Sequence, residues 1–128
     1  MLTVRKVDNE EIQACNFSID PHTVTLKDKG QWYALTDESK ILSVLCIREQ
    51  RGEHYIGEAF TDKSQRGKGY FTLLCSHVVD KIYTGYSVST HALAASKRAF
   101  ERCGFKQYAF REFKYGNQWW LRREGKKI

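Results

Sequence analysis

The sequence predicts an α/β protein built around one sheet. Three observations predict it. Runs of strand-forming residues recur along the 128 residues, and segments with helical spacing interrupt them. A basic glycine turn, Gln65-Arg66-Gly67-Lys68-Gly69-Tyr70, joins one such strand to one such helix. The resulting order, β-α-β-β-β-α-β-α-β-β, is that of an α/β mixture.

Residues 2–7 alternate as a first strand. Asp8 or Asn9 caps a short helix with Glu10 and Glu11 in its first turn, where the helix dipole favours acids. That helix carries Ile12, Cys15 and Phe17 and ends before Pro21. Residues 23–26 fit a short edge strand or an extended loop, and Asp28-Lys29-Gly30 fits a turn. Residues 31–36 (QWYALT), 41–48 (ILSVLCIR) and 54–61 (HYIGEAFT) read as three strands of an antiparallel meander. The second is the most apolar and reads as central. Gly57 is a candidate bulge in the third.

Residues 70–82 place Phe71, Leu74, Val78, Val79 and Ile82 at helical spacing. Residues 86–90 (YSVST) form a short strand and residues 92–102 an alanine-rich helix. Gly104 is well placed for a left-handed cap at the end of that helix. Residues 107–113 and 118–123 are two strands, with Tyr115-Gly116-Asn117 as their hairpin turn.

A chain of 128 residues is one domain, residues 1–128, with one core. The apolar share of 41% and aromatic share of 13% suit a folded chain and exclude a disordered one. No apolar run approaches a membrane span, so no membrane partner is expected. Met1-Leu2-Thr3-Val4-Arg5 lacks the apolar region of a signal peptide. Cys15, Cys46, Cys75 and Cys103 form no CxxC pair and lie in apolar contexts. They read as free, buried thiols in a reducing cytoplasm. The histidines are scattered, so no metal site is expected.

Net charge is +6. From Lys97 onward there are ten Lys/Arg against three Asp/Glu, a surplus of seven, while the rest is close to neutral. A basic C-terminal third attracts polyanions such as nucleic acid. The plainer reading, slightly favoured, is a solvated surface with a few cations for an anionic ligand.

Arg66-Gly67-Lys68-Gly69 has what a phosphate cradle needs. Two glycines let the backbone turn with positive φ and approach a ligand closely. Amides at the start of the following helix point outward, where its dipole favours an anion. Lys63, Arg66 and Lys68 add positive charge. A basic glycine turn is, alone, usually only a turn. Neither the Walker pattern nor the dinucleotide fingerprint is present.

The strand, loop and helix resemble those of the GCN5-related N-acetyltransferase (GNAT) superfamily, whose hallmark is R/Q-x-x-G-x-G/A. Arg66-Gly67-Lys68-Gly69-Tyr70 matches five positions, and Phe71 stands where the sixth is small. Ser96 to Phe105 resembles the family's later motif, N-x-x-S-x-x-x-x-E-K-C-G-F, in the version found in acetyltransferases of ribosomal-protein N-termini. Leu93 stands where its Asn is expected. Two motifs in register carry far more weight than either alone. The resemblance implies the GNAT acyl-CoA N-acyltransferase fold: a mixed sheet of about six to seven strands, the pyrophosphate loop after strand 4, and helices on both faces.

The resemblance also implies the ligand, acetyl-CoA (coenzyme A). Amides of Arg66, Gly67, Lys68, Gly69 and Tyr70 would hold its pyrophosphate. The main chain near Phe60 and Thr61 would pair with the pantetheine arm. Ser96 would lie near the thiol end or the phosphates, and Lys97 and Arg98 toward the adenosine phosphate.

Acetyl transfer needs a base for the amine, a donor for the carbonyl and a proton for the leaving thiolate. Glu58 stands first as base, then Glu53, then His54. Strand alternation puts Glu58 with His54 and Glu53 with Tyr55, unless Gly57 makes a bulge. Family members often protonate the thiolate with a Tyr that is Phe100 here. Ser96, a water or Tyr108 are the substitutes. Cys75 and Cys103 read as core residues of helix faces, not nucleophiles.

The expected function is acetyl-CoA-dependent acetylation of a primary amine by a monomer or homodimer. Only residues 8–30 separate the first two strands, where the family usually has two helices, so the acceptor cleft is open to a bulky, even macromolecular, amine. Two alternatives use the same fold. One is a nucleic-acid modifier, by analogy with phage DNA-modifying proteins of the Mom type. There Trp119-Trp120 and Tyr115 would stack bases, although core or dimer packing is the plainer role. The other is a non-catalytic CoA-binding protein, motivated by Phe100 and Leu93.

Overall fold

The computed structural model describes residues 1–14, 30–114 and 116–128. Its elements are β1 (Leu2–Val7), α1 (Asn9–Ala14), β2 (Gln31–Asp37), β3 (Lys40–Gln50), β4 (Glu53–Thr61), α2 (Tyr70–His77), β5 (Val88–Ala92), α3 (Ala94–Arg102), β6 (Lys106–Phe113) and β7 (Gly116–Arg123). The order is the expected one. Cys15, Phe17, Pro21, the 23–26 segment, Asp28, Lys29 and Tyr115 lie outside the described residues.

The seven strands form one sheet in the order β1-β2-β3-β4-β5-β7-β6. β1 to β4 are an antiparallel meander. β4 and β5 are parallel, and α2 supplies the crossover that a parallel pair requires. The β6–β7 hairpin is added with β7 inward, leaving β6 as an edge.

Helices cover both faces. On one, Ile12 of α1 packs with Val7, Trp32, Val44 and Cys46. On the other, Leu74 and Cys75 of α2 and Phe100 of α3 pack on Leu45, Ile47, Ile56, Val88 and Leu121. β3 is buried from Ile41 through Ile47, which is why it reads as a continuous apolar run rather than an alternating one.

Local chemistry sets the ends. Asp8 is the cap of α1: its Oδ1 accepts from the Glu11 amide at 2.7 Å, and Glu11 Oε1 accepts from the Asp8 amide at 3.4 Å, a reciprocal capping box. α3 ends at Gly104, with φ of 89°. There the Phe105 amide bonds the Phe100 carbonyl (3.2 Å) and the Gly104 amide the Glu101 carbonyl (3.0 Å), a Schellman close.

Several boundaries differ from expectation. The helix expected to Ile82 is α-helical only to His77, and Val78–Ile82 continue it as a wider π-helical turn. β5 begins two residues late because Tyr86 and Ser87 are claimed by the C-terminal tail. Tyr86 bridges to Lys126, and the Ser87 hydroxyl bonds the Gly125 carbonyl at 2.8 Å. α3 consequently starts at Ala94. In the hairpin, Phe113 pairs with Gly116 and Glu112 with Asn117. Asn117 therefore belongs to β7, and the turn is tighter than expected. Among the described residues, no helix is long and apolar enough to cross a membrane.

Candidate active site

The site begins where β4 and β5 part. The two strands pair only over 54–56 against 88–90. The last link is the Thr90 hydroxyl on the Ile56 carbonyl, 2.9 Å. At that point the register of β4 on β3 slips: Ile47 opposes Ile56 while Cys46 opposes Glu58. Gly57 is thus the extra residue of a β-bulge, which bends the strand away from β5. The parted strands, the glycine loop and the start of α3 enclose a cleft of about 690 Å³.

The loop forms one end. Asp62 accepts from the amide and hydroxyl of Ser64 at 3.0 and 2.8 Å, fixing a single 3₁₀ turn at Lys63–Gln65. Gly67 and Gly69 then take φ of 82° and 77°. This left-handed region costs any other residue about 1–2 kcal/mol. A Cβ on either would meet nothing within 4 Å, so both face open space. Gly69 caps α2 without a side-chain bond, leaving the first amides of that helix for an anion. Arg66, Gly67, Gly69 and Tyr70 line the cleft, as do Phe60, Thr61 and Ser96. Lys68 does not line it; its ammonium donates to Gln65 Oε1 at 3.0 Å. Ser96 Oγ makes a local bond to the Leu93 carbonyl, 3.4 Å.

The bulge settles which carboxylate reaches the cleft. Opposite Cys46, Glu58 shares the α1 face with Phe60, and it lines the cleft with its Oε2 buried. Simple alternation would have paired it with His54. His54 instead lies on the other face, against Tyr83 and Tyr86 at centroid distances of 4.5 and 5.2 Å. Glu53 is brought elsewhere too. It is buried at the start of β4, where its Oε1 accepts from Arg122 Nε and Nη2 at 3.2 and 3.1 Å. That is a structural ion pair outside the cleft, so Glu53, the second candidate for the base, does not reach the cleft that Glu58 lines.

His91, which the sequence reading passed over as one of four scattered histidines, does line the cleft. Its Nδ1 is hydrogen-bonded to the Tyr55 hydroxyl, and the rings stack with centroids 5.6 Å apart. Arg48 lies over the Tyr55 ring, 4.9 Å from its centroid. Burial first, then the Arg48 charge, hold His91 below the ordinary 6.5. The available signal was position: His91 is two residues before Leu93, at the end of the strand that borders the splay.

The opposite wall is apolar. Phe100 is buried, with Phe71 and Phe105 each 5.2 Å away edge-on. Tyr108 does not replace the missing hydroxyl. It is half exposed, with Arg122 4.4 Å over its ring, outside the cleft. Cys46, Cys75 and Cys103 are free and buried. The hydrogen bond that the Cys75 thiol donates to Cys103, together with burial, pushes the Cys75 thiol well above its usual value, which suits a core residue and not a nucleophile.

Much of the C-terminal basic surplus is engaged within the fold. Arg122 holds Glu53, Arg123 pairs with Asp80, Lys97 with Glu101 at 3.1 Å, and Lys126 lies over Tyr86. Trp119 and Trp120 are both half-buried. Trp119 packs on the α2–α3 core, while Trp120 lies 6.1 Å from His91.

Comparison with known proteins agrees with this fold. The family described as acetyltransferase (GNAT) domain matches residues 5–120. Among solved structures, the ribosomal-protein-S18-alanine N-acetyltransferase of Escherichia coli superposes with a TM-score of 0.69 at 16% identity, covering 95% of this chain and 92% of that one. A GNAT-family acetyltransferase from Bacillus cereus gives 0.72 at 14% identity, covering 98% of each chain. A mutant of the spermidine N-acetyltransferase from Vibrio cholerae gives 0.71 at 12% identity, covering 94% of this chain and 92% of that one. At these identities the likeness is one of fold. A search of curated proteins by sequence finds no match.

Proposed function

This chain belongs to the GNAT acetyltransferase family, and from that premise we propose that it transfers an acetyl group from acetyl-CoA to a primary amine. The observation that carries the reading is the uncapped start of α2, behind Gly67 and Gly69, opening into a cleft that continues between β4 and β5. The first amides of α2 and Arg66 would hold the pyrophosphate. The edge of β4 at Phe60 and Thr61, unpaired with β5, would take the pantetheine arm by strand addition. Acetyl-CoA supplies the activated thioester.

Glu58 is the group we assign to the incoming amine. It sits past the bulge on the α1 face of the cleft, where it can hold an ammonium and take its first proton. Ser96, at the opposite rim, orients the ligand through its hydroxyl. Two of the structural neighbours are named for amine acetylation, of a ribosomal-protein alanine and of spermidine. A bulky amine such as a protein N-terminus suits the short stretch, residues 8–30, between β1 and β2. The buried free thiols fit a reducing compartment, so we place the reaction in the cytoplasm.

Thiol release from acetyl-CoA across a panel of amines and protein N-termini tests the proposal. The expected result is turnover with at least one acceptor. CoA binding without thiol release from any acceptor would favour the non-catalytic reading instead.

A further inference from the structure

We propose that His91, oriented by Tyr55, relays the acceptor's second proton to the departing sulfur. The inference rests on the acetyl-transfer reading above. An ammonium that becomes an amide loses two protons. The first leaves before attack and goes to Glu58 and then solvent. The second leaves the nitrogen as the C–N bond forms and the C–S bond breaks, and it must end on the thiolate. The net change is ammonium plus thioester to amide, thiol and one released proton.

Phe100 and Phe71 offer no proton on one wall. His91 borders the same cleft from β5. Its Nδ1 is committed to the Tyr55 hydroxyl, so Nε2 is the nitrogen left for the ligand. When Nδ1–H donates to Tyr55 Oη, Nε2 carries the lone pair that a relay needs. Tyr55 is buried, with the Arg48 guanidinium over its ring, which makes it a positioning residue. Among the described residues, the charged and titratable groups around His91 are Arg48 on β3, Tyr55 and Glu58 on β4, and Arg111 on β6, which lies across Trp120 from it. Burial first, then the Arg48 charge, favour the neutral imidazole. A neutral imidazole can accept the proton, and the imidazolium formed is acidic enough to give it up at once.

The test pairs kinetics with NMR of the imidazole nitrogens. His91→Gln should bind CoA like the parent by calorimetry, yet transfer about 10²–10⁴-fold more slowly. In the parent without ligand, the His91 ring should be the Nδ1–H tautomer with an unprotonated Nε2. Tyr55→Phe should mix the tautomers and move the ring's titration midpoint, and the acid limb of kcat/KM should move with it. A purely structural Tyr55 would leave that limb in place. The proposal is overturned by a His91→Gln rate within about threefold of the parent, far below that range, or by a tautomer unchanged in Tyr55→Phe. A parent with no turnover but the predicted tautomer would overturn the acetyl-transfer reading and leave the Tyr55–His91 pairing standing.

Discussion

The ring of Phe71 meets the ring of Phe100 edge-on, with centroids 5.2 Å apart and planes at 79°. These two residues stand where the family pattern has a small residue and a tyrosine. The two departures are therefore one feature, because the larger side chain at the start of α2 packs against the ring that lacks a hydroxyl. Edge-to-face pairs contribute about 0.5–1.5 kcal/mol beyond burial. A Phe71→Leu, Phe100→Leu double-mutant cycle in urea should show a coupling of that size. Additivity within about 0.3 kcal/mol would mean the rings pack independently.

Glu58→Gln should slow acetyl transfer by about 10²–10⁴-fold. CoA affinity should hardly change, because Glu58 is assigned to the amine and not to the pyrophosphate, which the amides behind Gly67 and Gly69 would hold. Rates and calorimetry on the same preparation check both halves. A rate within about threefold of the parent, well below that range, would remove Glu58 from the chemistry.

Glu53 should behave as a stability residue. Glu53→Gln weakens two charge-assisted bonds from Arg122, and hydrogen bonds to charged groups contribute about 1.5–3 kcal/mol. Urea midpoints should fall accordingly, with kcat unchanged. Arg122→Gln should lose stability in the same way while leaving retention on heparin nearly unaltered. A large loss of heparin retention with an unchanged midpoint would instead revive the nucleic-acid reading.

Most of the fold was legible because its signals are local. The cap at Asp8 with Glu11 in the first turn, the strand-forming runs of β2 and β4, and Gly104 after α3 each act within a few residues. The glycine loop was legible for the same reason. The side-chain geometry of the cleft was not, because one residue decides it. Gly57 announced a bulge without saying whether it formed, and the bulge sets the face of Glu58 and its separation from His54. His91 and Tyr55 meet only through the β4–β5 register, which no local pattern encodes. The Glu53–Arg122 pair spans 69 positions and depends on β7, rather than β6, lying beside β5.

Acid should destabilise the fold through His54. Burial against Tyr83 and Tyr86 lowers its pKa below the ordinary 6.5, with Glu49 opposing. The unfolded chain then binds the proton more readily than the folded one. Stability from this group is fully present above about pH 6.5 and is lost as pH falls through the lower folded value. His54→Phe should flatten that part of the stability profile, measured as urea midpoint between pH 7 and 5. An unchanged profile would show that other groups carry the acid limb.

Calorimetric titration with CoA tests the loop most directly, in the parent and in Gly67→Val/Gly69→Val. A Cβ at either position projects into open space, so the strain is confined to φ, about 1–2 kcal/mol per residue. The variant should keep its circular dichroism spectrum, and Gly69→Ala serves as a milder second variant. The expected result is CoA binding by the parent, weaker binding by Gly69→Ala and none by the double variant. A folded parent that binds neither CoA nor acetyl-CoA at high micromolar concentration would contradict the assignment of this cleft, as would a folded double variant that binds as tightly as the parent.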